Sequence, residues 1–138
     1  MNPAEFFYAS LDKDVTYLKT GQPILFNSVI DPGKLYDERH GTFKPRLSGY
    51  YCFTFTVGTK NTSEAAAVRL EISTRKVATA VTDIPSATAS LVISQASNQA
   101  IVYMKDTDLA RVVIDHHDTG PIIGFGYTNF SGFLMKND

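Results

Sequence analysis

The stretch Gly49-Tyr50-Tyr51-Cys52-Phe53-Thr54-Phe55-Thr56-Val57 decides the fold. Tyr51, Phe53, Phe55 and Val57 recur at every second residue, with Cys52, Thr54 and Thr56 between them. A period of two puts the bulky set on one side of an extended chain and the smaller set on the other, and aromatic and β-branched residues favour that conformation. The stretch is therefore a strand with one face in a core. Val68-Arg69-Leu70-Glu71-Ile72 alternates in the same way, with Val68, Leu70 and Ile72 predicted inward and Arg69 and Glu71 outward. Residues 91–93, 99–104, 110–114 and the closing 130–135 are further strand candidates.

Turn signals separate these runs: Asp31-Pro32-Gly33, His40-Gly41, Gly58-Thr59-Lys60-Asn61, Lys105-Asp106-Thr107-Asp108 and Thr119-Gly120-Pro121. Short strands spaced in this way predict a sandwich or barrel. Ser63-Glu64-Ala65-Ala66-Ala67 has the pattern of a capping box but is too short to stand as a helix. No repeat, low-complexity tract or linker interrupts the chain, so residues 1–138 read as one all-β domain.

The totals agree with that size and class. A chain of 138 residues can bury roughly 65–70% of its unfolded surface in a single core. Its 43% hydrophobic and 20% charged residues are the balance of a globular protein, and a net charge of −1 announces no nucleic-acid partner. No run approaches the ~20 apolar residues of a membrane helix. The opening MNPAEFFYASLDKD lacks the basic flank and apolar run of a signal peptide. Cys52 is the single cysteine, so neither an intrachain disulfide nor a cysteine zinc site is available, and its apolar neighbours predict a buried thiol.

One spacing is more specific. Asp31 stands five residues before Tyr36 and Tyr36 seven before Phe43, and Gly49-x-Tyr51-x-Phe53-x-Phe55 follows Phe43 after five residues. This pattern resembles the globular head domain of complement C1q and its relatives. Phe6-Phe7-Tyr8-Ala9 is similar to that family's opening strand and Phe130-Ser131-Gly132-Phe133-Leu134 to its closing one. The segment from Ser97 to Asp108 is similar to its apolar strand and acidic turn, so the resemblance covers nearly the whole chain. It implies a ten-stranded jelly-roll β-sandwich, shared with tumour necrosis factor relatives and usually assembled as a homotrimer. With no Gly-X-Y stalk in the chain, a stand-alone head is expected, secreted or extracellular by the same resemblance. Tyr51, Phe53, Phe55 and Phe133 would fill the space between the sheets, and Gly49 and Gly132 would allow close backbone approaches.

The stretch Asp115-His116-His117-Asp118 carries the most suggestive side chains. In a continuing strand the two histidines would point to opposite faces, and His40, the third histidine, is distant in sequence, so zinc is disfavoured. The stretch reads as a loop tip, either merely solvated or a ligand contact, because recognition is commonly built on loops at the end of a sandwich. Asp115, His116, His117 and Asp118, with Tyr127, suit hydrogen bonding to sugar hydroxyls, with pH sensitivity from the histidines. Asp106 and Asp108 are either part of a polar hairpin turn or oxygen ligands for calcium, the one cofactor considered. Asp37-Glu38-Arg39-His40 reads as a solvated loop with charges available to a partner. Asn61-Thr62-Ser63 fits a glycosylation acceptor, while Asn129-Phe130-Ser131 enters a strand.

No nucleophile–base pairing, nucleophile elbow or phosphate-cradling loop is present in the sequence, so no catalytic residue is assigned and an enzyme is not expected. The expected function is recognition: lectin-like binding of glycans or microbial surfaces in innate immunity, with trimerisation supplying avidity. The alternatives are a trimeric protein ligand engaging a receptor, cytokine-like or synaptic-organiser-like, and a structural or matrix protein. No nucleic-acid partner and no membrane insertion are expected.

Overall fold

In the computed structural model the described residues are 4–16, 18–60, 65–82, 93–115 and 121–138. They form ten strands: β1 (Phe6–Ser10), β2 (Ser28–Ile30), β3 (Tyr36–Asp37), β4 (Thr42–Phe43), β5 (Gly49–Lys60), β6 (Ala67–Ile72), β7 (Arg75–Val81), β8 (Ile93–Met104), β9 (Ala110–Ile114) and β10 (Asn129–Asn137). Two five-stranded antiparallel sheets, ordered β2-β1-β10-β5-β8 and β3-β4-β9-β6-β7, face each other as the jelly roll requires.

The alternation in β5 does what its sequence predicts. Tyr51, Phe53, Phe55 and Val57 are all fully buried between the sheets. From the other sheet Val68, Leu70, Val112 and Ile114 meet them. Phe7 stacks on Phe43 at 4.7 Å between ring centroids, and Phe130 meets Phe7 edge-on at 4.9 Å. Phe133, expected in this core, is half exposed instead, because β10 turns Phe130 and Gly132 inward and Phe133 outward.

The residues that carried the family spacing turn out to be structural. Asp31 accepts the backbone N–H groups of Leu35 and Tyr36 at 3.0 and 2.8 Å. The Tyr36 hydroxyl accepts from the Phe26 N–H at 3.1 Å, and the Tyr51 hydroxyl donates to the Leu47 carbonyl at 2.6 Å. Burial pushes both phenols well above their ordinary pKa, so they stay neutral hydrogen-bonding groups. A Cβ on Gly49 would lie 2.3 Å from the Lys136 carbonyl oxygen, and one on Gly132 would lie 2.5 Å from Phe53 Cδ1. Both glycines are close approaches.

Two expected turns differ. Gly58, Thr59 and Lys60 continue β5 and pair with Gln95, Ser94 and Ile93 of β8. Lys105–Asp108 is a turn, closed by Asp108 N–H to the Lys105 carbonyl at 2.9 Å, but it is not a hairpin. It carries the chain from β8 in one sheet to β9 in the other. The capping-box segment forms no helix among its described residues, since Ala67 already opens β6.

Candidate functional site

Asp115 follows β9 directly, and its N–H donates to the carbonyl of Ala67 at the start of β6. The side chain is buried rather than presented to solvent. Oδ1 accepts from Arg69 Nη1 at 3.1 Å and Oδ2 from Lys76 Nζ at 3.2 Å. Arg69 also pairs with Glu71 at 2.7 Å, and Glu71 with Arg111 at 3.0 Å, so a chain of ion pairs crosses β9, β6 and β7. Glu71 faces outward as its sequence position predicts, yet it is buried under the two guanidinium groups. Burial pushes its carboxyl up, but the hydrogen bonds from Arg69 and Arg111 outweigh that and hold it below its ordinary pKa. In this arrangement Asp115 is tied to β6 and β7. His116, His117 and Asp118 lie outside the described residues, as does Asn61-Thr62-Ser63.

Tyr127 belongs to the same end of the sandwich, where β5 finishes and β6, β8 and β10 begin. It is partly exposed, and its carbonyl accepts Gln95 Nε2 at 3.0 Å. Sequence reasoning passed over its neighbour Phe125, which is 74% exposed, the most of any large hydrophobic side chain described. Phe125 has φ 54°, a left-handed conformation that costs a bulky residue about 1–3 kcal/mol. The surrounding backbone imposes it. The Gly124 N–H donates to Asp14 Oδ1 at 2.9 Å, the Gly126 N–H to the Leu11 carbonyl at 3.1 Å, and the Ile123 N–H to the Gly58 carbonyl at 2.9 Å. A rigid turn thus holds an aromatic ring out in water beside Tyr127, and the only sequence signal was the pair of flanking glycines.

The acidic turn is engaged internally. Asp108 accepts the Ser73 hydroxyl at 2.8 Å and the Lys105 N–H at 2.9 Å. The Lys105 N–H and the Ser73 hydroxyl hold its carboxyl below the ordinary range. Asp106 is exposed, and its N–H donates to Ser48 Oγ at 2.9 Å. Among the described residues no three His, Cys, Asp or Glu side chains converge as a metal cluster.

A second surface emerges from the register of the first sheet. Phe6, Phe133, Cys52 and Ile101 form one outward row across β1, β10, β5 and β8. The next row is Ile30, Tyr8, Ser131, Thr54 and Gln99, and the one beyond it is Ser28, Ser10, Asn129, Thr56 and Ser97. On the other side of the apolar row, Tyr50 and Tyr103 meet edge-on at 5.3 Å. The face therefore grades from aromatic to polar; the first three rows carry no charge, and Lys136 pairs with Tyr50 in the fourth. Phe133, Ile101 and Ile30 are 50%, 60% and 63% exposed. A sheet face with large apolar side chains open to water and no charge in three of its rows has the character of an association surface. Cys52, with Gln99 Nε2 donating to its Sγ at 3.0 Å, is buried within it as expected.

Two five-stranded antiparallel sheets in this order make a jelly-roll sandwich. The family model for the C1q domain matches residues 6–135, and the chain belongs to that family. Domains of the family are in general binding modules rather than enzymes, and typically extracellular. No helix among the described residues is long and apolar enough to cross a membrane. Among solved structures, the globular domain of zebrafish complement 1qA protein is similar over 97% of this chain and 99% of its own, at 18% identity and a TM-score of 0.76. Eiger TNF from S. frugiperda matches over 99% and 96% at 10% identity and a TM-score of 0.78. Murine APRIL matches over 96% and 99% at 8% identity and 0.73. At these identities the likeness is one of fold. No curated protein matches the chain significantly.

Proposed function

We propose that this chain is a homotrimeric, non-enzymatic recognition module acting outside the cell. The outward face of the first sheet would close the trimer, and the loop end of the sandwich would take a glycan ligand. The graded face carries the trimer: its exposed apolar side chains would be removed from water by copies packed about a threefold axis. The glycan site is proposed around Tyr127 and Phe125. A sugar presents both hydroxyls and an apolar ring face, which a phenol and a fixed aromatic ring match. His116, His117 and Asp118 follow the anchored Asp115 and would add polar contacts. Three copies of a weak site would give useful avidity on a repetitive microbial or host surface.

The test is a glycan array probed with the purified chain in calcium, repeated with a chelator. Saturable binding to related sugars, reduced by Tyr127→Ala and by joint replacement of His116 and His117 with alanine, supports the proposal. Loss in chelator assigns a calcium requirement and directs attention to Asp106 and Asp108, whereas unchanged binding leaves that turn a structural one. A blank array with folded protein moves the function to a protein receptor.

A further inference from the structure

The opposite sheet holds a groove separate from the proposed glycan site. It lies on the outward side of β3, β4 and β9, where Asp37, Thr42 and Arg111 form one row, and encloses about 630 Å³. That volume falls among small-molecule sites, which range over about 300–1,000 Å³. Its apolar surface comes from Pro23, Leu25, Leu35 and Leu109. Leu25 and Leu109 are 46% and 41% exposed, so both are left in water at the groove. A second, mainly apolar hollow of about 290 Å³ shares Gln22, Pro23 and Leu25 with it and extends towards Val15 and Leu18.

The rim is cationic. Arg39, Lys44 and Arg111, with the imidazole of His40 beside them, face Asp37, the only acid among the described lining residues. His40 Nδ1 engages Asp37 Oδ2 at 2.7 Å, and Arg111 is held by Glu71 at 3.0 Å. Arg39 and Lys44 form no ion pair with any described residue. Two uncommitted cations beside an apolar trough complement a ligand with one anionic head and an aliphatic body.

We propose that this groove binds an amphipathic anion, a medium-chain carboxylate of about ten carbons, with its head at Arg39 and Lys44 and its chain along Leu25, Leu35 and Leu109. Decanoate and the neutral decanol are the probes, titrated below micelle formation into the isotopically labelled full chain and followed by two-dimensional amide NMR. Saturable decanoate shifts centred on Leu25, Thr42, Leu109 and Arg111 are expected, with decanol weaker by at least about tenfold because it offers the cations no charge. The double variant Arg39→Glu, Lys44→Glu should weaken decanoate by at least about tenfold. Both positions are exposed, so its melting temperature should match that of the wild type. Absence of saturable shifts, equal affinity for decanol and decanoate, or shifts centred on Tyr50, Ile101 and Phe133 would each overturn the proposal.

Discussion

Replacing Gly132 with alanine tests the packing that joins the two sheets to each other. Gly132 lies between Phe7 of β1 and Phe53 of β5 in the register of the first sheet. Its added Cβ would meet Phe53 Cδ1 at 2.5 Å, Phe53 Cε1 at 2.6 Å and Phe7 Cε1 at 3.0 Å. Ordinary contact begins near 3.5 Å, so the Phe53 ring must retreat by roughly an ångström. It has little room, because it packs against Phe43 at 5.7 Å and Phe130 at 5.8 Å in a fully buried cluster. Overpacking of this kind costs about 1–3 kcal/mol, while the lower chain entropy of alanine returns about 0.4–1 kcal/mol. A net loss of about 1.3 kcal/mol lowers the melting temperature by roughly 4–6 °C for a chain of this length. Denaturation followed by circular dichroism at fixed protein concentration measures it. Phe53→Leu removes the colliding ring atoms, so the double variant should be more stable than the two single losses predict by at least about 0.5 kcal/mol. A Gly132→Ala protein within about 0.5 kcal/mol of wild type, or strict additivity in the cycle, would refute the reasoning.

Ile101→Lys places an ammonium in the apolar row of the first sheet. Each chain then forfeits part of the roughly 1.5–3 kcal/mol that burying isoleucine contributes, and gains a charge to desolvate. Sedimentation at micromolar concentration should show monomer, and an intact trimer would exclude this face as the interface. Glu71→Gln removes the charge that Arg69 and Arg111 share and should destabilise by about 1–3 kcal/mol, below the range for fully buried pairs because both arginines are partly exposed. Because the folded carboxyl titrates below its ordinary 4.5, its contribution is present above that pH and is lost as pH falls through the lower folded value. The wild type should therefore lose stability below pH 4.5 more steeply than Glu71→Gln, and parallel acid profiles would count against the network. Phe125→Asn relieves a left-handed aromatic residue and should stabilise by up to about 1 kcal/mol while reducing glycan binding. Unchanged binding would remove Phe125 from the site.

Strands that bury one face strongly were legible. β5, β6, β9 and β10 contribute the aromatic and aliphatic core, and the period of two follows from that burial. β8 was legible over residues 99–104, whereas its first half and β7, at edges of their sheets with most residues exposed or half-buried, carry few large apolar side chains to mark them. The turn joining β6 to β7 hid for a different reason. Ser73 and Thr74 have φ 48° and 73°, a geometry that Asn-Gly would have announced. Contacts outside the hairpin hold it: the Ser73 N–H donates to the Leu109 carbonyl at 2.8 Å, and the Ser73 hydroxyl to Asp108. β3 and β4 are two residues long, too short for any pattern.

The candidate sites divide along similar lines. Asp115 is visible in the sequence as an acid beside histidines, but its partners Arg69 and Lys76 come from strands 39 or more residues away. Only the fold distinguishes an anchor from a ligand contact. The association face needs the register, because Phe6, Phe133, Cys52 and Ile101 are neighbours only once four strands are paired. Phe125 needed the Leu11 and Gly58 carbonyls and the Asp14 carboxylate to fix the turn that carries it.

The most direct test of the central claim is the mass of the unmodified chain in solution by sedimentation equilibrium. A homotrimer closed through the graded face predicts three chains of 15.2 kDa, about 46 kDa, across the micromolar range. A single-chain mass at tens of micromolar protein would contradict the account.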